Sequence, residues 1–262
     1  MYVSPRDAVE RGRSMQGFLL ALQFFTIVPI QQQFDLHTKN ATIMYSCLPL
    51  IGLLIGLLDV AYLQAMSYTS FSPLFITIIF IFIHAVYTGG LHMDGFVDMS
   101  DAFFSYRDRQ KRLEILDDPR VGAFGAMGLV AIVLLQLAVV YELILQQQWL
   151  MLIAVPVLAR IGAAYCFMYM PLAKEKGIAA FFRKLVKKRA LTIVLIAFTI
   201  ASSAFLAAQH ITLLVVPLVF FTATMLYRQF CIRNFGGISG DLIGAYITAM
   251  EVLLWFSVLL CI

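Results

Sequence analysis

The chain has 262 residues, 61% of them hydrophobic and only 13% charged, with a mean hydropathy of +0.88. Soluble domains are about 45–50% apolar and about 25% charged, so a water-soluble core of this length could not hide so much apolar surface. These values exclude a soluble globular enzyme, a disordered chain and a disulfide-stapled secreted domain, and the net charge of +4 matters chiefly through where the charges lie.

The first apolar run, residues 17–30 (GFLLALQFFTIVPI), is short and closes on a proline. It suits an interfacial or re-entrant helix better than a crossing. Runs at 41–66, 73–90, 121–145, 149–171, 190–208, 211–227 and 241–262 follow, each near the ~17–25 residues that carry a helix across ~30 Å of hydrocarbon. The expectation is an all-α polytopic integral membrane bundle of about seven spans plus that N-terminal helix, forming one transmembrane catalytic domain over residues 1–262. Cys47, Cys166, Cys231 and Cys261 are far apart, without metal-ligand spacing, and are expected to be small buried hydrophobes.

Seven crossings place alternate connections on opposite sides. The N-terminal Arg6, Arg11 and Arg13, Lys39, and the cations of the 91–120, 172–189 and 228–240 loops then fall on one side, 18 of the 19 Lys and Arg in all. The connections near 67–72, 146–148 and 209–210 hold none. The positive-inside rule puts the basic loops in the cytosol and the C-terminus outside, in the cytoplasmic membrane of a prokaryote. The exception, Arg160, lies mid-span.

The loop after the second span opens Gly89-Gly90-Leu91-His92-Met93-Asp94-Gly95-Phe96-Val97-Asp98-Met99-Ser100-Asp101. On a helix, Asp94, Asp98 and Asp101 at i, i+4 and i+7 share one face. Such a stripe is either a solvated acidic face or the seat of an oxygen-seeking divalent cation. The adjoining span, the glycines and the apolar residues between the acids favour the cation, and Mg²⁺ fits where phosphate oxygens are also held. Further on, Arg107, Lys111 and Arg120 are candidate phosphate clamps, while Arg109 and Arg112 are expected to be cytosolic membrane anchors.

Residues 172–189 carry seven cations among Ile178, Phe181, Phe182, Leu185 and Val186. They are expected to form an amphipathic helix on anionic lipid, with an anion-gripping role as the lesser reading. The glycine-rich stretch Gly236-Gly237-Ile238-Ser239-Gly240-Asp241 opens the last span. It offers backbone N–H groups to an anion, and Asp241 is either a ligand or base, or a helix cap. His84 and Arg160 are intramembrane polar groups and hence functional candidates, although a packing histidine would also account for His84. The substrate-binding candidates are Arg107, Arg120, Arg160, His92 and Gly237; the catalytic ones are Asp94, Asp98, Asp101 and Asp241, the first three also as metal ligands.

The stretch GGLHMDGFVDMSDAFF followed by RDRQKRLEILDDPRVGAFGAMGLV, with FLLALQFFTIVPI, LPLIGLLIG and GGISGDLIGA elsewhere, resembles the adenosylcobinamide-GDP ribazoletransferase, or cobalamin 5′-phosphate synthase, family over nearly the whole chain. The resemblance implies a Mg²⁺-dependent membrane transferase. It would join adenosylcobinamide-GDP to α-ribazole or its 5′-phosphate, forming adenosylcobalamin or its phosphate and releasing GMP. Implied partners are these substrates, membrane lipid, and further copies of the chain or other cobalamin-assembly enzymes, with no nucleic acid. Where many members continue the aspartate motif with glycines, this chain has Ala102-Phe103-Phe104-Ser105. Two rivals share its features: another Mg²⁺-dependent intramembrane phosphotransferase of the CDP-alcohol type, and a secondary transporter. Against the transporter, the aspartates cluster at one edge, not at the midplane.

Overall fold

The structure is a computed structural model that describes the backbone of residues 5–261 and side chains from Met15 to Cys261. The side chains of Arg6, Arg11 and Arg13, three of the cations that set the expected orientation, lie outside the described set. Helix α1 (Pro5–Phe25) is followed by α2 (Thr38–Ser46) and α3 (Leu48–Met66), which together form one continuous stretch, then by α4 (Pro73–Tyr87), α5 (Leu91–Phe104) and α6 (Arg109–Ile115). The second half comprises α7 (Ala123–Leu145), α8 (Ala154–Tyr169), α9 (Ile178–Leu185), α10 (Lys188–Gln209), α11 (Val215–Phe235) and α12 (Gly240–Leu259). Short 3₁₀ turns lead into α8 and α11. No strand occurs among the described residues.

Six of these helical stretches are long and apolar enough to cross a membrane, and α4 with α5 makes a bent pair that brings the number to seven if it crosses as one. This is the expected polytopic helical bundle. The second apolar run does not become a straight span, because α4 stops at Tyr87 after 15 residues and α5 leaves it at 92°. Gly89 and Gly90 make the corner at φ +63° and +76°, a left-handed conformation that glycine adopts without steric cost.

The apolar part of α1, Met15–Phe25, stays at one end of the bundle. Gly17 lies against Asn40 and Ile43, Phe24 packs on Phe182 of α9, and the Ile27 N–H donates to the Tyr87 carbonyl at 2.9 Å. It is shorter than the six candidate spans, as the short run ending in proline implied.

Burial sorts the spans. In the most apolar stretch of Trp149–Tyr169 83% is buried, and in that of α12 72%, against 22–28% for α7, α10 and α11. The last three carry exposed Leu, Ile, Val and Phe on their outer faces, as lipid-facing helices do. Cys47, Cys166 and Cys231 are buried as expected; Cys261 is only partly so.

Helix α3 lies directly on α8 because Gly52 and Gly56 leave no side chain between them. A Cβ at Gly52 would stand 2.4 Å from the Pro156 carbonyl oxygen, and one at Gly56 2.7 Å from Ile153 Cα. Small residues four apart permit this close backbone approach in membranes. Because the obstructing atoms are backbone, Gly52→Val is expected to lower the thermal unfolding midpoint of the purified protein by the equivalent of at least about 1–3 kcal/mol. Leu54→Val, on an exposed face of the same helix, should change it by no more than ~0.5 kcal/mol. Equal midpoints for the two variants would show that the α3–α8 contact is dispensable.

Candidate functional site

The aspartate stripe is helical. The Gly90 carbonyl accepts from the Asp94 N–H at 2.9 Å, and α5 then runs unbroken to Phe104, so Asp94, Asp98 and Asp101 do share one side. Helix α5 packs between α12 and α7. Glycines set both contacts: a Cβ on Gly95 would lie 2.4 Å from the Asp241 carbonyl oxygen, and one on Gly125 would lie 2.2 Å from an Asp101 carboxylate oxygen.

The three aspartates have different surroundings. Asp94 is exposed and lines a pocket of about 410 Å³ that Asp241 also lines. Asp98 is half-buried and stands in the field of Asp94, Asp241 and Asp101. Asp101 turns to α7, where its two oxygens accept from the Gly122 N–H at 2.7 Å and the Gly125 N–H at 2.8 Å. It thus satisfies orphan donors of the first turn of α7.

Helix α12 is capped by Ser239, whose Oγ accepts from the Leu242 N–H at 3.3 Å. Asp241 is therefore not needed as the cap. It sits in the first turn with Ser239 Oγ 3.4 Å from its Oδ2, where the helix dipole favours a negative charge.

Besides Asp94 and Asp241, the pocket is lined by His92, Asp117, Lys174 and Lys176, with an apolar wall that includes Phe24, Phe25, Tyr45, Leu48, Phe167 and Ile247. A strand-like pairing brings the lysines in. The Ala173 N–H donates to the Ile238 carbonyl at 3.0 Å, and the Ile238 N–H donates to the Pro171 carbonyl at 2.8 Å. This holds the 171–174 segment beside the start of α12. Lys174 Nζ then donates to Asp117 at 2.5 Å.

Of the sequence-derived candidates, the pocket unites Asp94, His92 and Asp241. Gly237 is buried just behind it, where a Cβ would meet the Pro171 carbonyl at 2.3 Å. Arg107 is exposed in the irregular link between α5 and α6. Arg120 is exposed and forks onto Asp118 at 2.9 and 2.7 Å, which holds the Asp118 carboxyl down to about 2. Arg160 is buried below the pocket and paired with Glu251.

Arg109 and Arg112, expected as membrane anchors, instead fasten α6 to the end of α11. Arg109 Nε donates to the Phe235 carbonyl at 3.1 Å, and Arg112 Nη1 to Asn234 Oδ1 at 2.7 Å. The exposed carbonyls at a helix C-terminus attract such cations. The 172–189 run is not one helix: it forms the eight-residue α9 and the first two residues of α10, and Ile178, Ala179 and Ala180 of α9 line the pocket. Lys174 and Lys176 line the pocket as the lesser, anion-gripping reading of the 172–189 run allows, whereas Asp117 has no sequence signal, because nothing in its spacing links it to α5.

No three His, Cys, Asp or Glu side chains among the described residues converge enough to hold a metal ion alone. That arrangement fits Mg²⁺ nonetheless, because this ion keeps several waters and uses one or two carboxylates together with substrate phosphates. Asp94 in the pocket and Asp98 one turn further along α5 would offer hard oxygen donors, and the pocket's Lys174 and Lys176 would offer donors to phosphate oxygens.

Comparison with known proteins bears on what such a pocket does. The family described as Cobalamin-5-phosphate synthase matches residues 17–259. Adenosylcobinamide-GDP ribazoletransferase of Geobacillus sp. (strain WCH70) is 36% identical over 91% of this chain and 93% of its own length. Proteins of the same name from Halalkalibacterium halodurans and Treponema denticola are 36% and 31% identical, over 92% and 91% of this chain and 94% and 95% of their own lengths. No solved structure matches significantly.

The different surroundings of the aspartates make a stability test. Asp101→Ala removes two hydrogen bonds from the start of α7 and should cost about 0.5–2 kcal/mol, as loss of a helix cap does. Asp94→Ala deletes an exposed charge among like charges and should leave the unfolding midpoint unchanged or raised. Equal destabilisation by both substitutions would contradict the division.

Proposed function

The chain belongs to the cobalamin-5-phosphate synthase family, and from that premise we propose that the pocket between α5 and α12 is where it carries out the transfer step of cobalamin synthesis. Adenosylcobinamide-GDP binds with its diphosphate between the Asp94–Asp98 edge and Lys174 with Lys176. The hydroxyl of α-ribazole, or of its 5′-phosphate, attacks the phosphorus that bears the cobinamide, and GMP leaves. The observation that carries this reading is the meeting of Asp94, Asp241, Lys174 and Lys176 in one pocket, with metal-suited acids and phosphate-suited cations facing one volume.

Opening a P–O–P bond with a hydroxyl asks the protein mainly for positioning and charge neutralisation. Mg²⁺ held by Asp94 and Asp98 would supply the positive charge at the diphosphate. Lys174 and Lys176 bind its outer oxygens. Asp241, relieved of capping by Ser239 and drawn into the pocket, accepts the proton from the attacking hydroxyl. Asp101 holds α7 against the stripe. The apolar wall of Phe24, Phe25, Tyr45 and Phe167 excludes water, which would otherwise compete with the acceptor.

The setting belongs to the same proposal. The pocket opens at the end of the bundle that carries the basic connections, and the positive-inside bias would place that end in the cytosol of a prokaryotic cell, at its inner membrane. A reporter active only outside the cytosol should be silent after Lys188 and active after Gln148. Activity after Lys188 would invert the orientation.

Purified protein incubated with adenosylcobinamide-GDP and α-ribazole 5′-phosphate should release GMP one for one with product, and only when Mg²⁺ is supplied. Asp94→Asn should lower kcat by roughly 10²-fold or more. Lys174→Ala should act mainly on KM, since it removes a contact made in the ground state as well. Full turnover after exhaustive chelation, or a normal rate for Asp94→Asn, would refute the metal assignment.

A further inference from the structure

Beneath the pocket four ionisable side chains from four helices meet in the interior of the bundle: Asp59 of α3, His84 of α4, Arg160 of α8 and Glu251 of α12. They are 1%, 7%, 1% and 3% exposed. His84 bridges the two acids, with Nδ1 2.9 Å from Asp59 Oδ2 and Nε2 3.1 Å from Glu251 Oε2. Arg160 Nη1 donates to the other Glu251 oxygen. An ionised carboxylate can only accept, so two bonds of this kind need one proton more than a neutral imidazole and two carboxylates hold. Whether that proton rides on the ring or on one acid, the two acids, the arginine and the proton sum to zero charge. The group is thus electrically closed, as a low-dielectric site demands.

Such a group gives little net stability, because apolar side chains of similar volume often hold helices together as well or better. What it adds is direction. The imidazole can touch acids on α3 and α12 together only at one depth and one rotation of α4. That helix runs through the glycine corner at Gly89 and Gly90 into α5, which carries His92, Asp94 and Asp98. Glu251 lies ten residues beyond Asp241 on α12, about 15 Å along the axis. The α4–α5 unit is therefore pinned to α12 at two levels, by the glycine contact beside Asp241 and by the buried charges below.

We infer that Asp59, His84, Arg160 and Glu251 are a positioning network for the transfer reaction, fixing the register in which the acidic face of α5 meets Asp241. The inference rests on the reading of that pocket as the active site. None of the four need touch substrate.

Two charge-balanced variants of the full-length protein test it. Asp59→Leu, nearly the same shape, keeps the group neutral with an uncharged imidazole and leaves His84 with no polar partner on α3. Asp59→Leu with His84→Phe, Arg160→Met and Glu251→Leu replaces the whole group with apolar side chains. Both should keep the parent's unfolding midpoint to within a few degrees, the scale of about 1 kcal/mol. Both should also lose kcat, the quadruple variant by about 10²-fold as for an active site displaced by ~1 Å, with KM for adenosylcobinamide-GDP little changed. Arg160→Lys, which keeps a cation opposite Glu251, should retain most of the rate.

A second measurement needs no activity. The distance distribution between spin labels at Phe104 on α5 and Leu260 after α12 should be narrow in the parent and broad in the quadruple variant. Parent-like kcat with an unchanged distribution overturns the inference, as does a loss of kcat matched by an equal rise in KM. If the quadruple variant does not fold, Asp59→Leu decides by the same readouts. Should Asp94→Asn and Asp241→Asn both turn over normally, the pocket reading falls; a broadened distribution would then still show that the four residues set the register.

Discussion

The constraint on which the site depends is the backbone contact between α5 and α12. No side chain fits at Gly95, because the Asp241 carbonyl oxygen already occupies the place of its Cβ, and Gly244 lies against the backbone of Leu91 and His92 from the other side. Two helices that carry carboxylates are thereby held closer than their charges would choose. Like charges in a poorly solvated place repel strongly, so the arrangement is sustained by the apolar packing around it and invites cations. The lysines from the 171–176 segment answer part of that demand from within the chain, and a bound divalent ion would answer the rest.

Much of this was legible in the sequence, for identifiable reasons. Membrane spans announce themselves by length and composition, since a bilayer tolerates only segments that satisfy their own backbone, and the i, i+4, i+7 spacing of Asp94, Asp98 and Asp101 needs only helical geometry to become one face. The glycine-rich approach to Asp241 likewise marked the start of α12. Spacing could not show that Asp101 would be taken up by α7, because Gly122 and Gly125 meet it only through tertiary packing.

The same holds for the cations. Arg109 and Arg112 look alike in sequence to any lipid-facing anchor, and only the arrival of the α11 C-terminus beside α6 turns them inward. Lys174 looked like one more charge in a basic run until the pairing of residue 172 with residue 238 set it in the pocket. Asp59 and Glu251 carried no local signal at all, being single acids in apolar spans whose shared partner His84 lies 25 and 167 residues away.

The shortness of α4 has a consequence for how substrate reaches the chemistry. Fifteen helical residues rise about 22 Å, several ångströms less than the ~30 Å of a bilayer core. Where its neighbours continue to the headgroups, α4 stops and hands over to α5, which turns sideways. If those neighbours span the hydrocarbon, the carboxylates of α5 begin several ångströms short of the level at which they emerge. Under the proposed function, a nucleotide-bearing corrinoid would carry its charged diphosphate down to that level to meet them. On the proposed reading the charged groups of the substrate would approach to a depth that follows local bilayer thickness, and a thicker membrane would lengthen the descent.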